Sequence, residues 1–493
     1  MNEERTQTLE EIRNERIQKG ETLTEAGQAL YPSTTARTHE LQEVREAFST
    51  LEADKAVVTV AGRVLSVREH GGSAFIDLFD GTAQLQGFLK KDEVGDDAFN
   101  LFLNNVDRGD FVEVVGTPFT TKRGEPSLLA SQWRMLAKSL LPIPTEHFGI
   151  KDEDERYRKR YLDILLNKEL AERVRRRSHF WRSIRDFLIE RDFIEVETPV
   201  LETTPGGAEA RPFVTHHNAL DMDVHLRISA GELWQKKLMV AGLPKTFEIG
   251  RIFRNEGMSA EHAQDYTQLE LYEAYSDQEK GRQLVRDLYI HIAKEVFGTT
   301  SFTIREHEID LEKEWVEYDF SKIILDTYGF DPREADEATA LKALDDAHIE
   351  YNKDEPMNLE RAVDTLWKKC RTSLSGPGFL VNVPVYLEPL AKRSSEDPRV
   401  VERFQIILAG SEVGKGFSEL NDPIDQRKRF ERQEELRAQG DDEAQFADSE
   451  FVEALEYGMP PTFGFGVSER LYAFLEGIPI REGQLFPLMR PKQ

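Results

Sequence analysis

Residues Phe247–Tyr275 read FEIGRIFRNEGMSAEHAQDYTQLELYEAY, and the pattern within them governs how the rest of the chain is interpreted. Both ends alternate apolar and polar residues with the two-residue period of strands, and a polar, glycine-containing loop separates them. In an extended arm Gln268, Glu270 and Tyr272 share one face, and in the other arm Gly250, Ile252 and Arg254 share a face. Paired as a hairpin, the two arms bring Arg254 to the floor that Glu270 and Tyr272 line. A guanidinium near carboxylates and a phenol suits a ligand that carries both anionic and cationic groups. Spacing alone fits an ordinary hairpin with a surface salt bridge equally well.

The bulk of the sequence narrows the choice. A chain of 493 residues is long enough for two or three domains and a large buried core. It is 39% hydrophobic and 31% charged, and no apolar run is long enough to cross a bilayer. The start, MNEERTQTLEEIRNERIQKG, lacks the apolar stretch of a secretory signal, so the cytoplasm is the expected compartment. A single cysteine, Cys370, excludes an internal disulfide and any Cys-rich zinc site. The net charge of −27 argues against loose, non-specific binding of nucleic acid. Local basic surface could come from Lys90-Lys91, Lys122-Arg123 and Arg173-Arg175-Arg176-Arg177, although each cluster reads equally as a solvated charged face. Specific RNA binding by such a chain falls with salt.

Along the chain, residues 1–50 read as amphipathic helix interrupted around Tyr31-Pro32-Ser33. Residues 51–140 carry five short strand patterns, VVTVAGRVLSV, SAFIDLFDG, AQLQGFL, DFVEVVGTPF and SLLASQWRML, which suit a small OB-type barrel. Such barrels bind single-stranded nucleic acid by stacking bases on aromatic rings and reading base edges with polar groups. Residues 141–168 form a linker, and a long helix over about Glu169–Arg191 opens a second domain that runs to residue 493. Its helices and strands do not alternate as βαβ units, which indicates an α+β fold. A polar helical insertion at 304–384 reads as peripheral support, and QEELRAQGDDEAQFADSE as one exposed charged helix with its connection. No GxGxxG or GxxxxGK[ST] sequence is present, which disfavours Rossmann or P-loop nucleotide binding.

The opening segment resembles motif 2 of the class II aminoacyl-tRNA synthetases, and FRNEG…YTQLELYEAY is similar to the lysine-specific subgroup. FIEVETPVLETTPGGAEARPF (Phe193–Phe213) resembles motif 1, with Pro199, and the Pro-Gly-Gly loop after it. GFSELNDPIDQRKRF (Gly416–Phe430) and GFGVSERL…LFPLMRP (Gly464–Pro491) resemble the motif-3 region. These blocks fall in the family's order and span nearly the whole chain. The resemblance implies an N-terminal OB-type anticodon-binding barrel followed by an antiparallel-sheet catalytic domain flanked by helices. It further implies ATP, L-lysine and tRNA(Lys) as partners, Mg2+ with the ATP, and a homodimer built on motif 1.

The resemblance also implies roles for particular residues. Arg254 would bridge the α-phosphate and the substrate carboxylate, and Arg470 would hold the γ-phosphate. Arg470 falls in the first turn of the helix ERLYAFLEG, where Ser468 is a plausible N-cap and Gly464 and Gly466 allow close backbone approach. Glu256 and His262 match the ATP-contacting pair of the motif-2 loop, and Tyr266 stands where an aromatic ring stacks on adenine. The lysine ammonium groups would meet Glu419 and Tyr272 at one end, with Glu232, Glu270 and the backbone at Gly206 at the other, while Phe417 packs on the aliphatic stem. For Mg2+ the matching positions are Glu412 and Gln405, the latter an amide where the family has a carboxylate. For the anticodon they are Phe75 (stacking), Gln84 and Glu125 (edges).

Further departures are Glu261 in place of an arginine, Lys415 in place of an asparagine near the substrate carboxylate, and a RISAGEL segment one residue longer than the common lysyl form. Lys415 beside a carboxylate is electrostatically sensible, and an acidic substrate would be repelled by Glu419. Three other readings compete with lysine activation. A relative charging asparagine or aspartate is disfavoured by SELND with Tyr272, a synthetase paralogue lysylating a protein by the barrel, and an RNA-binding pseudoenzyme by Arg254 and Arg470.

Overall fold

The computed structural model describes residues 8–144, 150–255, 257, 262–351 and 357–492. The chain divides into two compact units between Leu166 and Asn167. In the first, strands Val58–His70, Ser73–Phe79, Gln84–Lys90, Pro126–Ala137 and Phe111–Thr120 follow one another around a closed barrel. Alternate residues point inward, so Val58, Val60, Ile76, Leu78, Leu89, Val112, Val114 and Leu128 fill the interior. Closure leaves no strand edge unpaired.

The expected N-terminal helix is Leu9–Glu25, opened by a Thr8/Glu11 capping box, and two short helices, Leu41–Glu46 and Phe48–Ala53, follow the interruption. A helix at Asp96–Asn105, absent from the strand pattern, buries Phe99 and Phe102 against the barrel core. The expected linker contains two helices of its own, Glu153–Arg158 and Arg160–Leu166, tied by Arg156 and Arg160 to Asp163.

In the second unit the long helix is Lys168–Ile189, burying Phe180, Ile184, Phe187 and Leu188. It flanks an eight-stranded sheet in the order Val316–Asp319, Gly378–Val381, Arg403–Leu408, Ser411–Ser418, Thr462–Ser468, Asp265–Ala274, Lys245–Phe253 and Ile194–Glu195. The six central strands are antiparallel to their neighbours, and the strand at each edge joins in parallel. Hydrophobic cores lie on both sides. One gathers Phe180, Leu288, Leu269, Phe404 and Phe463, and the other Tyr272, Phe320, Leu366, Phe417 and Phe451.

Three expectations are corrected. The 304–384 insertion is not peripheral, because it supplies the Val316–Asp319 and Gly378–Val381 strands of the sheet and buries Phe320, Leu366 and Trp367 beneath it. The charged run after residue 432 does not lie wholly in solvent. Gln433 and Leu436 of helix Pro423–Ala438 are buried, as are Asp441 and Gln445 beyond it. The arginine cluster on Lys168–Ile189 is committed to carboxylates, with Arg173 on Glu482 at 3.2 Å, Arg176 on Glu476 at 2.6 Å, Arg177 on Glu469 and Arg175 on Glu172. The first three pairs tie the helix to the C-terminal segment, and the fourth lies within the exposed face of the helix itself, so these arginines are neutralised instead of presenting a basic face.

Candidate active site

The Lys245–Phe253 and Asp265–Ala274 strands form the expected hairpin, with Gly250 opposite Gln268, Glu248 opposite Glu270 and Thr246 opposite Tyr272. Asp265–Ala274 also pairs with Thr462–Ser468, which pairs in turn with Ser411–Ser418. Strand alternation turns Gln268, Glu270, Tyr272, Lys415 and Phe417 to one side. There they line a single cavity of about 390 Å3, together with Glu232, Arg254, Tyr266, Gln405, Glu412, Glu419 and Arg470. The two arginines and the acidic pocket therefore share one cleft.

The end lined by Glu232, Glu270 and Glu419 is buried and acidic. Glu270 is buried and accepts from the Ala230 N–H at 2.9 Å, the Gln268 amide at 2.7 Å and the Tyr272 hydroxyl at 3.1 Å. Burial and the neighbouring Glu232 charge push its carboxyl up to about 8. Glu419 is deeply buried, and burial likewise raises its carboxyl well above the usual range, against the pull of Lys236. The Tyr272 phenol is pushed up by burial and by the carboxylates around it, so it stays a donor. Gly464 makes room for this arrangement, since a Cβ there would stand 2.0 Å from Glu419 Oε1 and 2.6 Å from the Tyr272 ring.

Within RISAGEL the backbone turns at Gly231. Its φ of 80° is left-handed, and a side chain there would strike Thr198 Oγ1 at 2.3 Å. Glu232 thus begins the helix Glu232–Val240 and faces the cavity.

At the other end Arg254 is half-buried, donates from Nε to the Ile228 carbonyl at 3.2 Å, and sits 5.8 Å from the Tyr266 ring centroid. Arg470 opens a short helix, Arg470–Leu475, and reaches the Glu412 carbonyl at 3.4 Å. Ser468 is the last residue of the preceding strand, and its hydroxyl accepts from the Arg470 N–H at 3.3 Å.

Of the two candidate metal ligands, Gln405 is committed through its amide oxygen to Arg403, whereas Glu412 faces the cavity with Oε1 on the Trp367 indole at 2.7 Å. Among the described residues no cluster of three or more metal-ligating side chains exists. One carboxylate on the cavity wall would fit a Mg2+ ion held mainly by the oxygens of a bound ligand, not a protein cage. Lys415 pairs with Glu388 at 3.2 Å, and Arg403 holds the same carboxylate. Burial disfavours ionisation of Glu388, but these cations outweigh it and keep the carboxyl low.

Two expected residues stand elsewhere, and one lies outside the described residues. Gly206 is behind the cavity wall, its carbonyl accepting from the Ser229 hydroxyl at 3.0 Å while Leu233 packs on its Cα, and Gly207 is the glycine at the surface. His262 is exposed and is not part of the lining. Glu256 falls outside the described residues.

In the barrel, Phe75 is half-buried and not part of the core. It stacks on Phe88 at 4.6 Å, and Phe88 adjoins Phe119 at 5.8 Å. Gln84 lies on the same face of its strand as Phe88, and Glu125 occupies the turn before Pro126–Ala137. Phe88 and Phe119 escaped the sequence reading, although their alternation with inward residues is visible in it. So did Lys236, Glu388 and Trp367.

Comparison with known proteins agrees with this geometry. The model for tRNA synthetases class II (D, K and N) matches residues 152–490, and that for the OB-fold nucleic acid binding domain matches residues 58–136. The chain belongs to the class II tRNA synthetases of the D, K and N group. Within it, similar full-length relatives are lysine–tRNA ligases. That of Thermotoga maritima is 40% identical over 98% of this chain and 97% of its own length. That of Halalkalibacterium halodurans is 42% identical over 98% and 96%, and that of Oceanobacillus iheyensis 43% over 92% and 94%.

Proposed function

We propose that the protein is a lysine–tRNA ligase, which activates L-lysine with ATP to lysyl-adenylate and transfers the lysyl group to the 3′ end of tRNA(Lys). The observation that carries this reading is the single cleft in which two guanidinium groups adjoin a sealed pocket of three carboxylates. A substrate with two ammonium groups and one carboxylate satisfies both ends, since a buried ammonium needs a paired carboxylate.

In the first step a lysine carboxylate oxygen attacks the α-phosphorus and pyrophosphate departs. The nucleophile is ionised at neutral pH, so no general base is required. The work left to the protein is to hold two anions together. Arg254 screens the carboxylate from the α-phosphate, Lys415 adds a second cation there, and Arg470 binds the far phosphates. Tyr266 supplies a face for adenine. Glu412 would hold Mg2+, which would supply positive charge against that of the leaving pyrophosphate. In the second step the terminal tRNA hydroxyl attacks the carbonyl carbon of the adenylate, and AMP leaves with the electron pair of the broken bond.

Phe75, extended by Phe88 and Phe119, suits stacking of anticodon bases, with Gln84 and Glu125 reading edges. No described helix is long and apolar enough to cross a membrane, and the expected compartment is the cytoplasm. A homodimer is supported by apolar residues left exposed around motif 1, among them Ile194 (46%), Leu201 (48%) and Leu220 (64%).

ATP–pyrophosphate exchange against all twenty amino acids tests the assignment. Lysine alone is expected to support rapid exchange, and either Arg254→Ala or Arg470→Ala is expected to lower it roughly a hundredfold to a thousandfold while tRNA binding persists. Undiminished exchange in both variants would overturn the reading.

A further inference from the structure

Lys236 lies behind the acidic pocket and is not among the residues that line the cavity. Its side chain is 1% exposed, and its ammonium stands 2.8 Å from Glu232 Oε1 and 2.5 Å from Glu419 Oε2. The rings of Phe417 and Phe451 close over it, with centroids at 5.3 and 5.8 Å. Glu232 and Glu419 do line the cavity. Each therefore has the internal ammonium at its back and the ligand space at its front. Glu419 Oε1 is buried with no hydrogen-bond partner among the described residues, an acceptor left open to a donor from the ligand space.

We propose that Lys236 is a positioning residue of the amino-acid site, a permanent internal ammonium that fixes the geometry and the charge of the two carboxylates that receive the substrate's ammonium groups. The inference rests on the lysine–tRNA ligase reading. Charge balance supports it. Once arriving ammonium groups favour the ionised forms of Glu270 and Glu419, the three carboxylates Glu232, Glu270 and Glu419, offset by Lys236, leave two negative charges, which match the two ammonium groups of a diamino acid. Burial works against the charge on Lys236, but Glu232 and Glu419 more than compensate and hold it protonated. Geometry supports it too. One ammonium bonded to both carboxylates sets their separation, and so sets the length of diamino acid that can reach both. Lysine is thereby told from its one-carbon-shorter homologue, ornithine.

The test uses full-length Lys236→Gln and Lys236→Arg in pyrophosphate exchange. Lys236→Gln is expected to raise KM for L-lysine roughly a hundredfold, because a buried carboxylate pair loses its counter-charge, while KM for ATP stays as in the parent. Its preference for lysine over ornithine should fall as well. Calorimetry in buffers of different ionisation enthalpy should show more protons released per lysine bound, since the raised carboxyls of Glu270 and Glu419 then hold extra protons in the empty site. Lys236→Arg keeps the charge and should restore most of the lysine affinity.

An unchanged KM for lysine in Lys236→Gln, or a Lys236→Arg variant as weak as Lys236→Gln, overturns the inference. If Lys236→Gln does not fold, Lys236→Gln/Glu232→Gln should fold, because it removes a carboxylate with the cation. Failure of that double variant shows a packing defect and also overturns it. Absence of lysine-dependent exchange in the parent protein would instead sink the ligase reading itself.

Discussion

Glu270 receives three hydrogen bonds in the closed end of the cavity, and its carboxyl is raised to about 8 by burial first and the Glu232 charge second. Below that pH the empty site holds Glu270 protonated, and an arriving ammonium favours its ionised form. Lysine binding must then release a proton, so lysine affinity rises with pH and levels off above about 8. KM for lysine measured on both sides of that value checks the expectation, and Glu270→Gln should flatten the slope while weakening binding throughout. Without lysine, the same linkage lowers folding stability as pH climbs from the ordinary carboxylate range to about 8, because only the native carboxyl resists ionising. Glu270, Tyr272, Glu419 and the two arginines were legible in the sequence, since strand alternation and motif order place them together. Lys236 was not. Four residues after Glu232 it reads as an ordinary surface helix pair, and only the packing of Phe417 and Phe451 puts it inside.

The strand Thr462–Ser468 shows what a single element contributes. Its glycines suggested close backbone approach to a ligand. At Gly464 the approach is instead by protein side chains, the Glu419 carboxylate and the Tyr272 ring. Gly464→Ala is therefore expected to displace Glu419, raising KM for lysine and lowering stability by about 1–3 kcal/mol, as overpacking of a filled interior does. Thermal unfolding and exchange kinetics on the same preparation check both effects, and a variant with parental KM would contradict the pocket geometry. The short helix after this strand escaped accurate delimitation. ERLYAFLEG looks continuous in sequence, yet the helix runs only from Arg470 to Leu475, and Glu469 occupies the capping position while its carboxylate, instead of capping the helix backbone, accepts from Arg177 and Gln484.

At the scale of the whole molecule, the barrel and the catalytic unit should fail separately. Phe75→Ala and Phe88→Ala remove one stacking surface each, worth about 1–3 kcal/mol per base, so charging of tRNA should weaken with amino-acid activation untouched. Loss of exchange activity in either variant would argue against that division of labour. A further expectation concerns assembly. Leu201→Asp should halve the mass seen by sedimentation, whereas a parent protein that already sediments as one chain would rule out the dimer.

The division into barrel and sheet domain was legible because strand patterns and motif blocks are local. The place of the insertion was not, because its strands join the sheet across long sequence separations. Trp367, on an insertion helix, holds the carboxylate of Glu412 at 2.7 Å, and Phe320 and Arg361 stand in the same wall. Engineering a miniature enzyme by looping out 304–384 would therefore spare every recognisable motif, yet leave the reaction chamber open to bulk water on one flank.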